Sequence, residues 1–238
     1  MSKDIPADFE FSALNETYYY PRAIIREFSS SLKGKIIDIG AGIGQVTELL
    51  AERVGEENII GVEPDARFAK IFRERCPGIR LVEGTVADLP QNADCGTVVS
   101  TNVLEHIRDH AGELSRYRAL LAPREGHLCL LVPARPEIYA PIDQDFGHFR
   151  RYTKASLHKV LAAAGFNEIK TFYFDFPGYF AWLLNFKLLR RRSFNPVAVR
   201  LFDGLIFRPA HAVEFHAMRP PVGQSLIAIA RASKPAGK

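Results

Sequence analysis

The segment KIIDIGAGIG, residues 35–44, constrains the fold more strongly than any other part of the chain. It begins as a short, β-branched apolar run and ends in closely spaced glycines, as a buried strand of a parallel sheet does. QVTELLAERVG follows at once, with the apolar spacing of a helix. Glycines between a strand and a helix let the backbone turn tightly and approach a ligand directly. The segment therefore predicts a strand, a ligand-binding glycine loop and a helix.

The alternation of strands and helices continues along the chain. Further apolar runs predict buried strands at residues 58–64, 79–86, 96–104 and 126–134. Helical spacing predicts helices at residues 20–30, 66–78, 111–121 and 153–166. Alternating apolar residues predict two late strands at residues 168–176 and 224–232. This order favours an α/β fold with a doubly wound, mostly parallel, seven-stranded sheet.

Length and composition fit a globular protein, and we predict a single domain over residues 1–238. The chain is 47% hydrophobic and 24% charged, and its formal net charge of +4 gives no reason to expect a nucleic-acid partner. Cys76, Cys95 and Cys129 are far apart and form no CxxC pair. This argues against a disulfide framework or a zinc site and favours a reducing cytoplasm. No apolar run reaches the roughly 18 residues of a membrane-spanning helix.

The spacing of the glycines separates two classes of nucleotide site. The dinucleotide fingerprint GxGxxG needs a small residue at position 45, where this chain has Gln45. The glycines are instead spaced GxGxG, and Asp38 lies two residues before the first of them. Glu63 ends the second predicted strand, where an acid can accept hydrogen bonds from both hydroxyls of a ribose. A nucleoside site is therefore favoured over the NAD site of an oxidoreductase.

Four segments in this order and spacing resemble a known family: IIDIGAGIG, IIGVEPD, LVEGTVADLP and TVVSTNVLEHI. They look like the class I S-adenosylmethionine-dependent methyltransferases. Within these enzymes the chain is most similar to the broad small-molecule group called methyltransferase type 11 or 12. The resemblance covers residues 33 to 170 and implies S-adenosylmethionine as the cofactor, with a Rossmann-like sheet.

The resemblance also implies which residues hold the cofactor. Gly40, Ala41 and Gly42 would line its methionine part, with Asp38 beneath that loop. Glu63 would hold the ribose hydroxyls. Residues 1–32 would fold over the cofactor as a covering segment, because such a segment does so in related enzymes.

Later segments would complete the cofactor site. Pro64 would lie near the adenine, and Asn102, Val103 and Leu104 would form the wall beside the sulfonium. Members of the family usually have GDAxxLP after the third strand, with that aspartate bonded to the adenine amine.

This chain departs from that pattern. It has GTVADLP, so that Thr85 stands where the family has its acid, and Asp88 follows three residues later. We assign Thr85 and Val86 to the cofactor site. The adenine amine would meet the Thr85 hydroxyl, backbone amides or Asp88.

The stretch DQDFGHFRRY follows the fifth predicted strand and lies near the site by topology, because parallel α/β sheets bind ligands at the carboxyl ends of their strands. His148 is the best candidate for a general base, since its intrinsic pKa lies near neutrality. Asp145 could orient His148 or act in its place. The alternative is a surface turn in which the two aspartates of the stretch pair with Arg150 and Arg151. We find no set of clustered carboxylates and histidines that predicts a metal site.

The stretch between the two late strands is longer than an ordinary connection and lacks strand signals. We predict a helical insert over residues 176–222. Residues 176–202 contain no acid and many large apolar residues beside five basic ones, Lys187, Arg190, Arg191, Arg192 and Arg200. This composition suits peripheral membrane contact, a lid over a hydrophobic acceptor, a dimer surface, or helices packed on the sheet with solvated arginines.

The sequence therefore predicts a methyltransferase that uses S-adenosylmethionine to methylate oxygen or nitrogen of a small or lipid-like metabolite. A nucleic-acid or protein methyltransferase is the nearest alternative, although no NPPY-type tetrapeptide and no separate basic recognition domain is found. A non-catalytic nucleotide-binding protein of the same fold is the other alternative.

Overall fold

The computed structural model describes residues 17–90, 93 and 95–233. Within them, seven strands form one sheet in the order β3-β2-β1-β4-β5-β7-β6. The strands are β1 (Ile36–Ile39), β2 (Ile59–Glu63), β3 (Arg80–Glu83), β4 (Thr97–Thr101), β5 (His127–Pro133), β6 (Phe166–Phe174) and β7 (Ser225–Ala232). Strands β1 to β5 pair in parallel, whereas β7 lies antiparallel between β5 and β6. The predicted seven-stranded, mostly parallel α/β fold is confirmed.

Helices cover the sheet and connect its strands. Those of the described residues are α1 (Tyr19–Phe28), α2 (Gln45–Val54), α3 (Ala66–Arg75), α4 (His110–Leu121), α5 (Pro141–Asp145), α6 (Lys154–Ala163), α7 (Phe176–Trp182), α8 (Pro196–Leu201) and α9 (Arg208–His216). The short helix α5 is a difference from the sequence analysis, which predicted no helix there. Pro141 suits its first position, because proline has the φ angle of a helix and needs no hydrogen-bond partner for its nitrogen.

Both faces of the sheet are buried, as a parallel sheet requires. Successive residues of β5 point to opposite faces. Leu128 and Leu130 join one apolar cluster, whereas Cys129 and Leu131 join the other. The clusters between sheet and helices fix the strand ends, so that the loops after β1, β2, β4 and β5 meet at one edge of the fold.

The segment between β6 and β7 is helical and contains two π-helical stretches. Leu183–Leu188 continues α7, and Phe202–Phe207 joins α8 to α9. π-Helical turns are rare and are frequent at functional sites. No helix within the described residues is long and apolar enough to cross a bilayer.

Candidate active site

A cavity of about 730 Å³ lies at the carboxyl ends of the parallel strands. The glycine loop after β1 and the loops after β2 and β4 form one end of it, and the loop after β5 forms the other. Helix α1 and the helices between β6 and β7 complete the wall. This is the edge at which open α/β sheets bind their ligands, so the loops after β1, β2, β4 and β5, which carry most of the predicted site residues, surround one space.

The glycine loop is tied to the neighbouring strand by its backbone. The amides of Gly40 and Ala41 donate to the carbonyl oxygen of Val62 at 2.9 and 3.0 Å. Gly40 has a φ of +72°, and a Cβ at this position would overlap Cγ2 of Val103. Only glycine combines this left-handed backbone with so close an approach. The loop therefore places bare backbone against the cavity.

Glu63 shapes the glycine loop. Its Oε2 accepts a hydrogen bond from the Gly42 amide at 2.8 Å, and its Oε1 accepts one from the Asp65 amide at 2.9 Å. Burial raises the pKa of Glu63 above its ordinary value, and these two hydrogen bonds oppose the shift. A carboxylate oxygen has a second lone pair. Glu63 can thus hold the loop and still accept hydrogen bonds from a ligand in the cavity.

Asp38 lies beneath the glycine loop, as expected, and not on the cavity wall. Its Oδ2 accepts a hydrogen bond from the Thr47 hydroxyl at 2.7 Å. Its Oδ1 has no hydrogen-bond partner among the described residues. Burial raises the pKa of Asp38 to about 6, against the Thr47 hydrogen bond and with a smaller contribution from Glu63. Asp38 is therefore a support of the loop.

The loop after β4 contributes two of its three predicted residues to the wall. Asn102 and Val103 line the cavity, whereas Leu104 is completely buried in the core. Asn102 has a φ of +54°, a left-handed conformation that asparagine tolerates better than most residues. Such conformations are frequent at functional sites.

Thr85 and Val86 do not line the cavity, which corrects their assignment to its wall. The Thr85 amide and hydroxyl donate to Asp88 at 2.8 and 3.1 Å, so that the two side chains cap a short turn. Val86 is buried in the core. Pro64 and Phe68 line this end instead. The sequence analysis missed Phe68, although an aromatic residue in the first turn after Glu63 was an available signal.

His148 lies at the other end of the cavity in contact with an ionised partner. Its Nδ1 is 3.0 Å from Oδ1 of Asp143, and its Nε2 is 4.0 Å from Oε1 of the buried Glu105. Burial alone would raise the pKa of Asp143, but the hydrogen bond with His148 and the Arg151 guanidinium, 2.8 Å away, lower it below its ordinary value. The Asp143 carboxylate favours a proton on Nδ1, which is the tautomer whose lone pair is on Nε2.

Asp145 is not the partner of His148, which corrects the sequence expectation. Its carboxylate pairs with Arg192, whose Nε donates at 2.7 Å. The alternative pairing of this stretch is half right. Arg151 pairs with Asp143, whereas Arg150 donates to backbone carbonyls of the loop that follows β4.

A second histidine stands beside the first. The ring of His106 is 4.7 Å from that of His148, centroid to centroid. Burial lowers the pKa of His106 to about 4, with a smaller contribution from His148, so that it is neutral at pH 7. Ligand atoms of Glu105, His106 and His148 lie within 4.8 Å of one another and could hold a metal ion. The sequence analysis found no such set, because the third member is distant in the chain.

The part of the cavity wall near His148 is aromatic. Trp182, Phe186 and Phe146 belong to one apolar cluster that joins α5 to the helix after β6, and Phe194 packs on it. Asp175 lies at the edge of this region, and its Oδ1 accepts a hydrogen bond from the Gly178 amide at 2.9 Å. Burial raises the pKa of Asp175 to about 7. The region suits a largely apolar molecule with few polar groups.

Asp203 fastens the start of α1 to the helices that follow β6. Its carboxylate accepts hydrogen bonds from the amides of Tyr18, Tyr19 and Tyr20 at 2.7, 2.8 and 2.9 Å. Tyr20 then lines the cavity. Residues 1–16 of the predicted covering segment lie outside the described residues. The described remainder forms a side of the cavity next to the glycine loop.

Replacing Asp203 with alanine is expected to lower the free energy of unfolding by about 2–4 kcal/mol, because three amides at a helix start lose a charged acceptor. Asp203→Asn keeps one oxygen and is expected to lose less. Chemical denaturation of both variants measures this. Equal stability of the alanine variant and the parent protein would contradict the role of this carboxylate.

The fold is similar to those of solved methyltransferases. One is a Thermotoga maritima protein described as a SAM-dependent methyltransferase, possible histamine N-methyltransferase, with a TM-score of 0.62, 18% identity and 90% of each chain covered. Another is Haemonchus contortus phosphoethanolamine N-methyltransferase 2, solved with S-adenosyl-L-methionine, with a TM-score of 0.61 and 16% identity over 91% of this chain and 53% of that one. At these identities the likeness shows the fold.

The sequence matches to curated relatives cover only part of each relative's length. Trans-aconitate 2-methyltransferase of Acidovorax sp. (strain JS42) is 31% identical over 98 residues, which are 41% of this chain and 38% of that protein. The protein of the same name from Methylobacterium nodulans is 28% identical over 149 residues, 63% of this chain and 55% of that protein. The chain therefore spans less than two thirds of the length of these relatives.

The family model described as "Methyltransferase domain" matches residues 14–171, which is more than half of the chain. The match includes the glycine loop, Glu63, the loop after β4 and His148. It agrees with the sheet order and with the resemblance seen in the sequence, which is confirmed. The chain belongs to the methyltransferase domain family, and its fold is that of the class I S-adenosylmethionine-dependent methyltransferases.

Proposed function

We propose that the protein transfers a methyl group from S-adenosylmethionine to an oxygen or nitrogen of a small or lipid-like metabolite. The observation that carries this proposal is the shape of the cavity. One space joins the glycine loop and Glu63 at one end to His148 at the other. A cofactor and an acceptor can therefore meet inside it. The proposal assigns this activity to a single domain, with the described part of residues 1–32 as a cover over the cofactor.

The cofactor-binding residues would act mainly through backbone and one carboxylate. Gly40, Ala41 and Gly42 would contact the methionine part, because their loop offers close backbone approach. Glu63 would accept hydrogen bonds from the ribose hydroxyls with its remaining lone pairs. The bound cofactor supplies an electrophilic methyl group on a sulfonium.

The neighbouring loops would enclose the remainder of the cofactor. Pro64 and Phe68 would provide an apolar surface for the adenine, and Asn102 and Val103 would flank the sulfonium. This arrangement is consistent with the position of each residue on the cavity wall.

The acceptor must lie in line with the methyl group, with its nucleophilic atom about 3 Å from the methyl carbon. A hydroxyl must also lose its proton, whereas a carboxylate has none to lose at neutral pH. His148 presents Nε2 as an acceptor, and Asp143 holds the proton on Nδ1. The pair therefore supports a hydroxyl acceptor, with His148 as the base and Asp143 as the residue that orients it.

Calorimetric titration with S-adenosylhomocysteine and with NADH tests the proposal at its cofactor end. We expect binding of the first compound and not of the second. Glu63→Ala is expected to lower the affinity for S-adenosylhomocysteine by about 1–3 kcal/mol, since two buried hydrogen bonds are lost. The matched control is Glu52→Ala on the exposed face of α2. Failure of the parent protein to bind S-adenosylhomocysteine would favour a non-catalytic protein of this fold.

A screen for S-adenosylhomocysteine formation then identifies the acceptor class. It includes hydroxyl-bearing phenols and lipids, and also trans-aconitate, histamine and phosphoethanolamine because proteins with a similar sequence or fold carry those names. Nucleic acid and protein belong in the same screen. Turnover on either of these and not on small molecules would overturn the proposed acceptor class.

A metal ion at Glu105, His106 and His148 is the second candidate role for this end of the cavity, on the strength of their 4.8 Å cluster. A bound divalent cation could lower the pKa of a coordinated hydroxyl without a general base. Chelation separates the two roles. Turnover that survives EDTA supports His148 as the base, whereas turnover that is lost and then restored by zinc or magnesium supports the metal.

A further inference from the structure

The helices between β6 and β7 carry exposed apolar side chains at regular spacing. On the first helical stretch, Phe180, Leu184 and Leu188 are 50%, 53% and 65% exposed. Residues four positions apart lie on the same side of a helix. The three side chains therefore form one apolar stripe along this stretch.

The second helical stretch repeats the pattern. Val197, Leu201 and Leu205 are again four positions apart, and they are 65%, 53% and 70% exposed. Exposed leucines are ordinary singly, but a contiguous apolar surface on a soluble protein marks an interaction site. Each stripe is a row of three exposed apolar side chains, and the two stripes lie on consecutive helical stretches.

Both stripes point away from the cavity. Trp182 and Phe186 of the first stretch line the cavity, and each follows an exposed member of the stripe by two positions. Val199 and Asp203 of the second stretch also line the cavity, and each follows a member of the second stripe by two positions. Two residues turn a helix by about 200°, so that the stripes lie on nearly the opposite side. We call the six striped residues together the outer face.

The exposed charges that the segment 176–213 itself carries are of one sign, and one of them, Arg192, pairs with Asp145 of α5. The formal net charge of the whole chain is +4. The segment 176–213 alone contains six basic residues, Lys187, Arg190, Arg191, Arg192, Arg200 and Arg208. All six are exposed. Asp203, the one acid of that segment, is buried and holds the start of α1. The surface of the segment thus presents apolar and positively charged groups and no exposed carboxylate.

We propose that the outer face docks on the surface of an anionic membrane. Helices with an apolar face and arginines or lysines beside it lie in the interface of such a membrane, where the apolar side chains enter the headgroup region. Basic residues next to the membrane gain from the negative potential of anionic lipids. In this arrangement the protein lies on the surface of the membrane.

The positive charge around the outer face also disfavours a second copy of the chain as its binding partner. A symmetric dimer through the outer face would bring two positively charged surfaces together, because an isologous contact uses the same patch on both subunits. Like charges facing each other across an interface are unfavourable. An anionic lipid surface has the complementary charge.

The proposed docking also narrows the acceptor, a step that rests on the proposed function. The helices that carry the outer face also cover the aromatic part of the cavity, where the acceptor would bind. An amphiphilic acceptor with a hydroxyl headgroup would then be taken from the membrane on which the protein lies.

Co-sedimentation of the full chain with vesicles of equal parts phosphatidylcholine and phosphatidylserine tests the docking. We expect binding to these vesicles that weakens when salt is added, and weaker binding to vesicles made of phosphatidylcholine alone. The double variant Leu188→Ser with Leu205→Ser is expected to lower the affinity for these vesicles by about tenfold or more, because two apolar side chains no longer enter the interface. Arg190→Glu is expected to lower it by about tenfold, because one charge is reversed.

Matched controls lie elsewhere on the surface. Ile71→Ser removes an apolar side chain on α3 that is 43% exposed, and Arg53→Glu reverses an exposed charge on α2. Both controls should bind vesicles like the parent protein. Absence of vesicle binding, equal binding by the leucine variants, or leucine variants that only convert a dimer to a monomer would each overturn the docking. Titration of every variant with S-adenosylhomocysteine reports on the proposed function separately.

Discussion

Replacing His148 with asparagine is expected to slow methylation of a hydroxyl acceptor by about 10²–10⁴-fold, the range that general-base catalysis contributes. The reason is that His148 lies on the cavity wall, and its Nδ1 is 3.0 Å from Oδ1 of Asp143. The rate of S-adenosylhomocysteine formation, with the hydroxyl acceptor found by the screen, measures the loss. Affinity for S-adenosylhomocysteine should stay unchanged, because the histidine is at the acceptor end.

Three comparisons make the His148 result specific. His158→Asn, on the exposed face of α6, should leave turnover as it is. Asp143→Asn should cost more turnover than Asp145→Asn, since only the first aspartate contacts the histidine. A carboxylate acceptor should be methylated by His148→Asn almost as fast as by the parent protein. Full turnover of a hydroxyl acceptor by this variant would reduce His148 to a structural role.

Replacing Gly40 with alanine is expected to abolish measurable binding of S-adenosylhomocysteine. The new methyl group would meet Val103 Cγ2, and the residue would also be held in a left-handed conformation that costs about 1–2 kcal/mol. The glycine loop and the wall made by Val103 cannot both keep their positions, so the cofactor end loses its shape. Calorimetric titration measures the binding, and circular dichroism shows whether the variant is folded.

Gly34 offers a matched control for this substitution. It has a φ of +62°, close to that of Gly40, but its nearest neighbour would be 3.5 Å from an added Cβ, an ordinary contact. Gly34→Ala should therefore carry the backbone cost alone and bind S-adenosylhomocysteine fully. The double variant Gly40→Ala with Val103→Ala should regain part of the binding. Normal binding by Gly40→Ala alone would contradict the close packing of the loop on Val103.

Most of the sheet could be predicted because each strand is a short apolar run between turn signals. LCLLV leaves no polar face to expose, and Asp38 is the single polar residue of IIDI, so the burial of both strands on both faces of the sheet follows from their composition. The glycine loop and Glu63 could be placed because a strand end fixes the position of the next residues. The predicted fold class is confirmed because the local sequence of these strands determined their geometry.

The site details that could not be predicted depend on contacts with distant segments and on how the chain turns back on itself. Asp145 faces Arg192, which is 47 residues later, and no local pattern announces this pair. His148 meets Asp143 because the chain turns back after α5, where the His148 amide donates to the Asp143 carbonyl at 2.9 Å.

One other difference between the predicted and the observed site could have been predicted from the sequence. Thr85-Val86-Ala87-Asp88 has the T-x-x-D spacing of a capped turn, and the structure forms that cap. The side chains that the family pattern directed toward the adenine are therefore engaged with each other.

Asp203 belongs to the helical stretch that carries the second stripe of the outer face. Its carboxylate accepts hydrogen bonds from three amides at the start of α1, beside the glycine loop. Any movement of that stretch that withdraws the carboxylate must also leave those amides without their acceptor. The position of that stretch and the position of the start of α1 are therefore coupled. A ligand that contacts only one of the two elements and favours its present position also favours the present position of the other, and the coupling free energy is the same in both directions.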